Sequence, residues 1–300
     1  MMSPRNAERW LPAGLSPVER GILWPVVYAS IFGAPVRSSR LWAQMVGVRA
    51  TEDEMRGALS GDALRSLVSE EDGLIWLRHP ERSVREAFVR REAKTKDLLK
   101  RHHEILRFLK ALPGVRLVAL SGGCAHDAAD DGDIDVFLVT EAFALWRTLL
   151  RSTLVSKARG WRRILCMNYL VDETAQDLPW RDFYGGFELI SLKPLRSEEA
   201  FDELLARNAW VEPMFPNFLP SRAHGQNPGN RIPTAARGQL LEATARMIQR
   251  PYLRYRLPKS PGVELSDHVV RLHETDHRTR LRGLFQDALQ RIGMEAPPWI

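Results

Sequence analysis

Cysteine is scarce. Only Cys124 and Cys166 occur in 300 residues, too few for a disulfide scaffold and without the paired spacing of a zinc site. Extended apolar stretches are missing too: no segment approaches the roughly eighteen uninterrupted apolar residues that a membrane span requires. The opening Met1-Met2-Ser3-Pro4-Arg5 lacks the apolar core of a secretory signal. A cytoplasmic chain with no membrane partner is therefore expected. No internal repeat or low-complexity tract is visible, which excludes solenoids. Charge is plentiful, with 43 Lys and Arg against 37 Asp and Glu, and the balance of +6 favours anionic partners in general: nucleotides, nucleic acid, phosphorylated substrates. At this length the chain can bury a large core and divide into two or three units.

Residues 117–140 organise the rest. An apolar run through Leu117 and Leu120 stops at Ser121-Gly122-Gly123, a small polar stretch follows, and a second apolar run carries Asp133 and Asp135 at its head. Strand, tight turn and strand is the natural reading. Strand alternation puts Asp133 and Asp135 on one side, where two carboxylates repel unless a cation lies between them. Hard oxygen ligands favour Mg²⁺ or Mn²⁺. Gly122 and Gly123 have no Cβ and let a phosphate approach backbone N–H groups.

These residues carry a resemblance. Gly122-Gly123-Cys124-Ala125-His126-Asp127-Ala128, then Gly132-Asp133-Ile134-Asp135-Val136, is similar to the Gly-Ser-x-Ala-Arg-Gly-x-Ala…Ser-Asp-Ile-Asp-Leu signature of the DNA polymerase β-like nucleotidyltransferase superfamily, departing at Gly123, His126, Asp127 and Gly132. The resemblance implies an α+β fold: a polymerase β-like nucleotidyltransferase core, a mixed sheet with helices, flanked by N-terminal winged-helix-like and C-terminal helical regions. It also implies a third carboxylate on the following strand, read here over residues 164–172. Asn168 best matches that position, with Asp172 on the same strand face but further along. Residues 178–195 resemble a segment seen after that strand in bacterial relatives, which makes Glu188 an auxiliary carboxylate and Lys193 a triphosphate partner. The expected catalytic set is Asp133, Asp135, Asp172 and Glu188. Nucleotide contacts fall to Ser121, Gly122, Gly123, Asn168 and Lys193, and Asp133 and Asp135 hold Mg²⁺ or Mn²⁺. The implied activity moves a nucleoside monophosphate from an NTP to an acceptor that the sequence leaves open, whether small molecule, protein or RNA. A nucleotide-binding module without transfer and a DNA-associated regulator are the alternatives.

The flanks divide the chain into 1–80, 81–112, 113–200 and 201–300. A helix over 16–31 opens with Ser16, Pro17 and Glu19 in capping positions, a short helix follows over 39–46, and Thr51 with Glu54 caps a third that runs through Leu67. Glu70-Glu71-Asp72-Gly73 then turns the chain into Leu74-Ile75-Trp76-Leu77. Three helices and a hairpin are the order of a winged helix, and residues 24–35 resemble an aromatic-rich helix in bacterial members of the superfamily. Because Arg56 and Arg65 face Glu52, Asp53, Glu54 and Asp62 on the third helix, a scaffold role is expected ahead of DNA reading. Residues 83–110 read as one long, highly charged linker helix. Helices are also expected over 143–154, from 201, over 234–255 with Pro251 kinking or ending it, and over 272–292, with a surface connection over 208–229. His268, His273 and His277 lack the spacing of a closed metal site.

Overall fold

The computed structural model describes residues 14–78, 80–218, 236–257, 259–260, 262–272 and 278–300. His273, His277, Thr234 and residues 219–229 of the expected surface connection lie outside the described residues. The architecture is mixed α+β.

The chain begins with α1 (Pro17–Ser30), whose capping box is formed in both directions: Glu19 N–H donates to Ser16 Oγ, and Ser16 N–H donates to the Glu19 carboxylate. Next come β1 (Val36–Arg37), α2 (Ser38–Gln44) and α3 (Glu52–Leu59), the last with the same reciprocal box between Thr51 and Glu54. The third helix stops at Ser60, and Leu64 belongs to a separate turn, α4 (Asp62–Arg65). β2 (Val68–Glu71) and β3 (Leu74–Leu77) complete an antiparallel sheet of order β1–β3–β2.

The expected single helix over 83–110 is two helices, α5 (Arg82–Arg101) and α6 (His103–Lys110), separated at His102, which has φ −106° and ψ 29°. α6 turns Ile105 and Leu109 into the core that Leu98 at the end of α5 also joins, while the start of α5 packs on the N-terminal unit, where Phe88 meets Trp76 edge-on.

The main sheet contains β4 (Val115–Leu120), β5 (Ile134–Thr140), β6 (Leu165–Asp172), β7 (Lys193–Arg196), β8 (Val263–Leu265) and β9 (Val269–Leu272). Its order is β7–β4–β5–β6–β9–β8, and only the β5–β6 pair is parallel. A parallel pair needs a crossover, supplied by α8 (Leu145–Ala158). Residues 201–300 were expected to be mainly helical, yet they give the sheet β8 and β9. Val269 and Val270, read as the approach to a helix, are β-branched residues that pair with Val171 and Leu170. The final helix, α12 (Arg278–Arg291), starts later than expected. Pro251 does not end its helix: α11 (Ala236–Arg256) runs through it with the ring on the exposed side, where solvent reaches the carbonyl left unpaired.

The remaining helices are α7 (Gly122–Ala125), α9 (Phe183–Ser191) and α10 (Glu198–Arg207). Leu117, Ala119, Phe137, Val139, Tyr169 and Val171 face one core, which continues without interruption into α1, α9, α10 and α12. Val118, Leu120, Val136, Leu138, Leu170 and Val270 face the other, beneath α6 and α8. The N-terminal unit therefore shares its core with the main sheet. Tyr28 of α1 sits among the rings of Phe183, Phe187 and Phe285, with centroids 4.8 to 5.4 Å away. Phe285→Ala in α12 removes the ring stacked 5.0 Å from Phe183. It is expected to cost about 3–5 kcal/mol, read as a lower denaturation midpoint in urea.

Candidate functional site

Ser121 ends β4 with extended backbone, and its N–H donates to the Asp135 carbonyl at 3.0 Å, which ties the turn to the next strand. Gly122 follows with φ +50°, and a Cβ built there would lie 2.6 Å from Asp135 Oδ2. Any side chain at Gly122 would displace that carboxylate. Gly123 is equally confined, its Cβ position being 3.0 Å from Ala129 Cα, and its N–H donates to Asp135. The serine of the superfamily signature would be cramped at this position, because the loop through Ala128 and Ala129 closes over it.

Asp133 stands just ahead of β5 and Asp135 is its second residue. Cys166 of β6 lies opposite Asp135 in register, and the two carboxylates and the Cys166 sulfur fall within 4.8 Å of one another. Burial, then a hydrogen bond with Asp131, raises the Asp133 acid to about 7. Asp135 rises to about 6, again through burial, although the Asn168 amide works against the rise. Asp133 Oδ1 is buried with no hydrogen-bond partner. A cation between the carboxylates would satisfy that oxygen and reverse both shifts, so the donor set fits a divalent metal. Burial pushes the Cys166 thiol up to about 12, and it donates to Asn168 Oδ1, so the carboxylate oxygens are the donors in this cluster that such a cation would take.

Asn168 is where alternation misleads. Between Asp135/Cys166 and Phe137/Tyr169 the β5–β6 register slips, with one extra residue on β6. A bulge of this kind lets residues on both sides of it turn toward the same partner. Asn168 Nδ2 donates to Asp135 Oδ1, so the amide positions the carboxylate. Beyond the bulge the parity is inverted, and Tyr169 and Val171 share the Asp135 face while Asp172 does not. Asp172 is a correction to the expected catalytic set. It pairs with Thr140 at the far end of the strands, about 17 Å from Asp135 at a strand's rise per residue. There it accepts from Thr174 N–H at 2.9 Å and lies 2.7 Å from His268 Nδ1.

Glu188 is close to the site. It projects from α9 with Oε1 3.3 Å from His126 Nε2, and its charge contributes to the raised Asp135 acid. Lys193 is not available as the expected triphosphate partner, since its Nζ donates to Asp127 Oδ1 at 2.7 Å. A cavity of about 570 Å³ opens beside the turn, walled by Gly122, Gly123, His126 and Glu188 on one side and by α1, β1, α2, α5 and α12 on the others. Sequence reasoning missed Cys166 and Asp131. Cys166 had a signal, its place two residues before Asn168; Asp131 had none, because its bond to Asp133 depends on loop shape.

Comparisons with models of known protein families, with curated proteins and with solved structures return no match to this chain.

Two acids raised in the folded state bind protons that the unfolded chain has already released, since an unperturbed aspartate titrates near 3.9. Their contribution to stability is full below about pH 4 and falls as pH rises through about 6 and 7. In metal-free protein, the melting temperature of wild type is expected to drop more between pH 4.5 and 8 than that of an Asp133→Asn/Asp135→Asn variant, measured by scanning calorimetry.

Proposed function

We propose that the protein is a divalent-cation-dependent nucleotidyltransferase on a polymerase β-like core, with a winged-helix-like N-terminal unit. The observation that carries this reading is the buried Asp133 oxygen, without a hydrogen-bond partner among the described residues, beside the Asp135 carboxylate, both at the head of β5 next to a glycine turn. In the reaction an acceptor hydroxyl attacks the α phosphorus of an NTP, the bond to the β-phosphate oxygen breaks, and pyrophosphate leaves. Asp133 and Asp135 would hold Mg²⁺ or Mn²⁺, which supplies charge neutralisation at the phosphates and the leaving group.

The chain's own residues do the positioning. Gly122 and Gly123 let the turn close against Asp135 and Ala129, and both line the cavity in which a phosphate would lie; the Ser121 hydroxyl, which caps no helix bond, could donate to it. Asn168 fixes the Asp135 rotamer through its amide. Glu188, on the cavity wall beside His126, is the carboxylate placed to take the acceptor's proton.

One observation favours a second reading. Asn168 stands where the resemblance implies a carboxylate, and its oxygen faces the Cys166 thiol, as a nucleotide-binding module without transfer would tolerate. A duplex-reading role draws little support from α3, where Arg56 lies 3.3 Å from Glu52. No described helix is long and apolar enough to cross a membrane.

Asp133→Ala or Asp135→Ala is expected to cut metal-dependent pyrophosphate release from NTPs by about 10³-fold or more, with circular dichroism unchanged. Asp172→Asn is expected to lower the melting temperature and leave release per folded molecule within about twofold. Undiminished release in either of the first two variants would remove the transferase reading, and no release from wild type would favour the binding module.

A further inference from the structure

The cavity beside the glycine turn carries more positive charge than its own acidic residues can match. Arg37, Arg40, Arg91 and Arg280 line it, from β1, α2, α5 and α12. Two of the four are occupied. Arg37 donates to Glu92 at 2.6 Å and lies 3.6 Å from Asp127, and Arg91 donates to the carbonyls of Phe32 and Gly33 at 2.9 and 2.7 Å. The acids on these walls are also engaged: Asp127 with Lys193 and Arg37, Asp130 with Arg91 at 3.8 Å, and Glu188 with His126. Among the described residues Arg40 and Arg280 have no hydrogen-bond or ion-pair partner, and both are exposed. Arg40 is close enough to Lys193 for their charges to oppose one another, which concentrates positive potential at this end of the cavity.

The geometry points to a polyphosphate seat in this cavity, with Arg40 of α2 and Arg280 of α12 as the free cations that grip the anion from opposite ends of the chain. The inference rests on the transfer reading for the identity of the natural ligand, a nucleoside triphosphate, and replaces Lys193 as the phosphate partner. Guanidinium groups suit the task because their forked N–H donors match phosphate oxygens pairwise. The cavity volume lies within the range of small-molecule sites. Phe32, Tyr184 and Phe187 on the same walls offer flat surface for a base. A bound polyphosphate would cross-link the N-terminal unit to the C-terminal helix over the catalytic turn.

Inorganic tripolyphosphate, titrated calorimetrically without divalent ion, tests the seat apart from turnover. Wild type is expected to bind it, each of Arg40→Gln and Arg280→Gln to weaken binding about threefold, and the double variant about tenfold. Arg65→Gln, an exposed cation on α4 away from the cavity, is expected to change affinity less than either. Circular dichroism verifies that the variants are folded. Failure of wild type to bind, wild-type affinity in the double variant, or an equal loss in Arg65→Gln would overturn the seat. Asp133→Asn is expected to bind tripolyphosphate as tightly as wild type; weaker binding there would move the anion to the carboxylate pair and overturn it as well. If the seat binds but wild type releases no pyrophosphate, the transfer reading falls alone. If pyrophosphate is released while the double variant binds normally, the seat falls alone.

Discussion

Two carboxylates that would separate in water are kept side by side here. The β4–β5 pairing fixes where Asp135 begins, Gly122 removes the only atom that would push its carboxylate aside, and Asn168 clamps its other oxygen. Asp133 is left with one oxygen that no described residue satisfies. Holding like charges half-buried is unfavourable, and the raised acids of both residues register that cost. Most of the local architecture, from the turn to the bulge on β6, keeps this unfavourable pair in place. Perturbed acids of this kind cluster at functional sites, and ion-pair networks also produce them.

The N-terminal unit takes its meaning from that pair. Its most buried aromatic, Tyr28, is committed to α9 and α12, and Arg37 and Arg40 line the cavity beside the glycine turn. α5 reinforces the link: Thr95 Oγ1 accepts from Ala129 N–H at 3.0 Å, and Lys94 donates to the Asp130 carbonyl. The helix expected to be a solvated linker is a strut that holds the loop between turn and acids. The unit acts as a wall of the site, and its charge pattern follows from that placement.

Much of this was legible in the sequence. Both capping boxes, the apolar runs of β4 and β5, the glycine turn and the two acids follow from local rules that hold whatever surrounds them. The misreadings have a common physical origin in long-range contact. The extra residue on β6 changes which face Asp172 occupies, and nothing in the composition of residues 165–172 announces it. Lys193 looked free until the αL turn at Asp127 (φ 55°) brought that carboxylate to it. β8 and β9 are too short to read as strands without the β6 edge that pairs with them. The break at His102 falls in a stretch without Gly or Pro, so no breaker residue announces it.

The pairing of β6 with β9 joins Tyr169 to Arg271, across roughly a hundred residues, and contacts so distant in the chain form late. During synthesis the β6 edge stands uncovered while the ribosome makes α9 through α11, with its backbone groups open to any neighbouring strand. The acidic end of the sheet, in contrast, is assembled from residues 115–172. The β6 edge therefore stays open until the last strands are made and cover it.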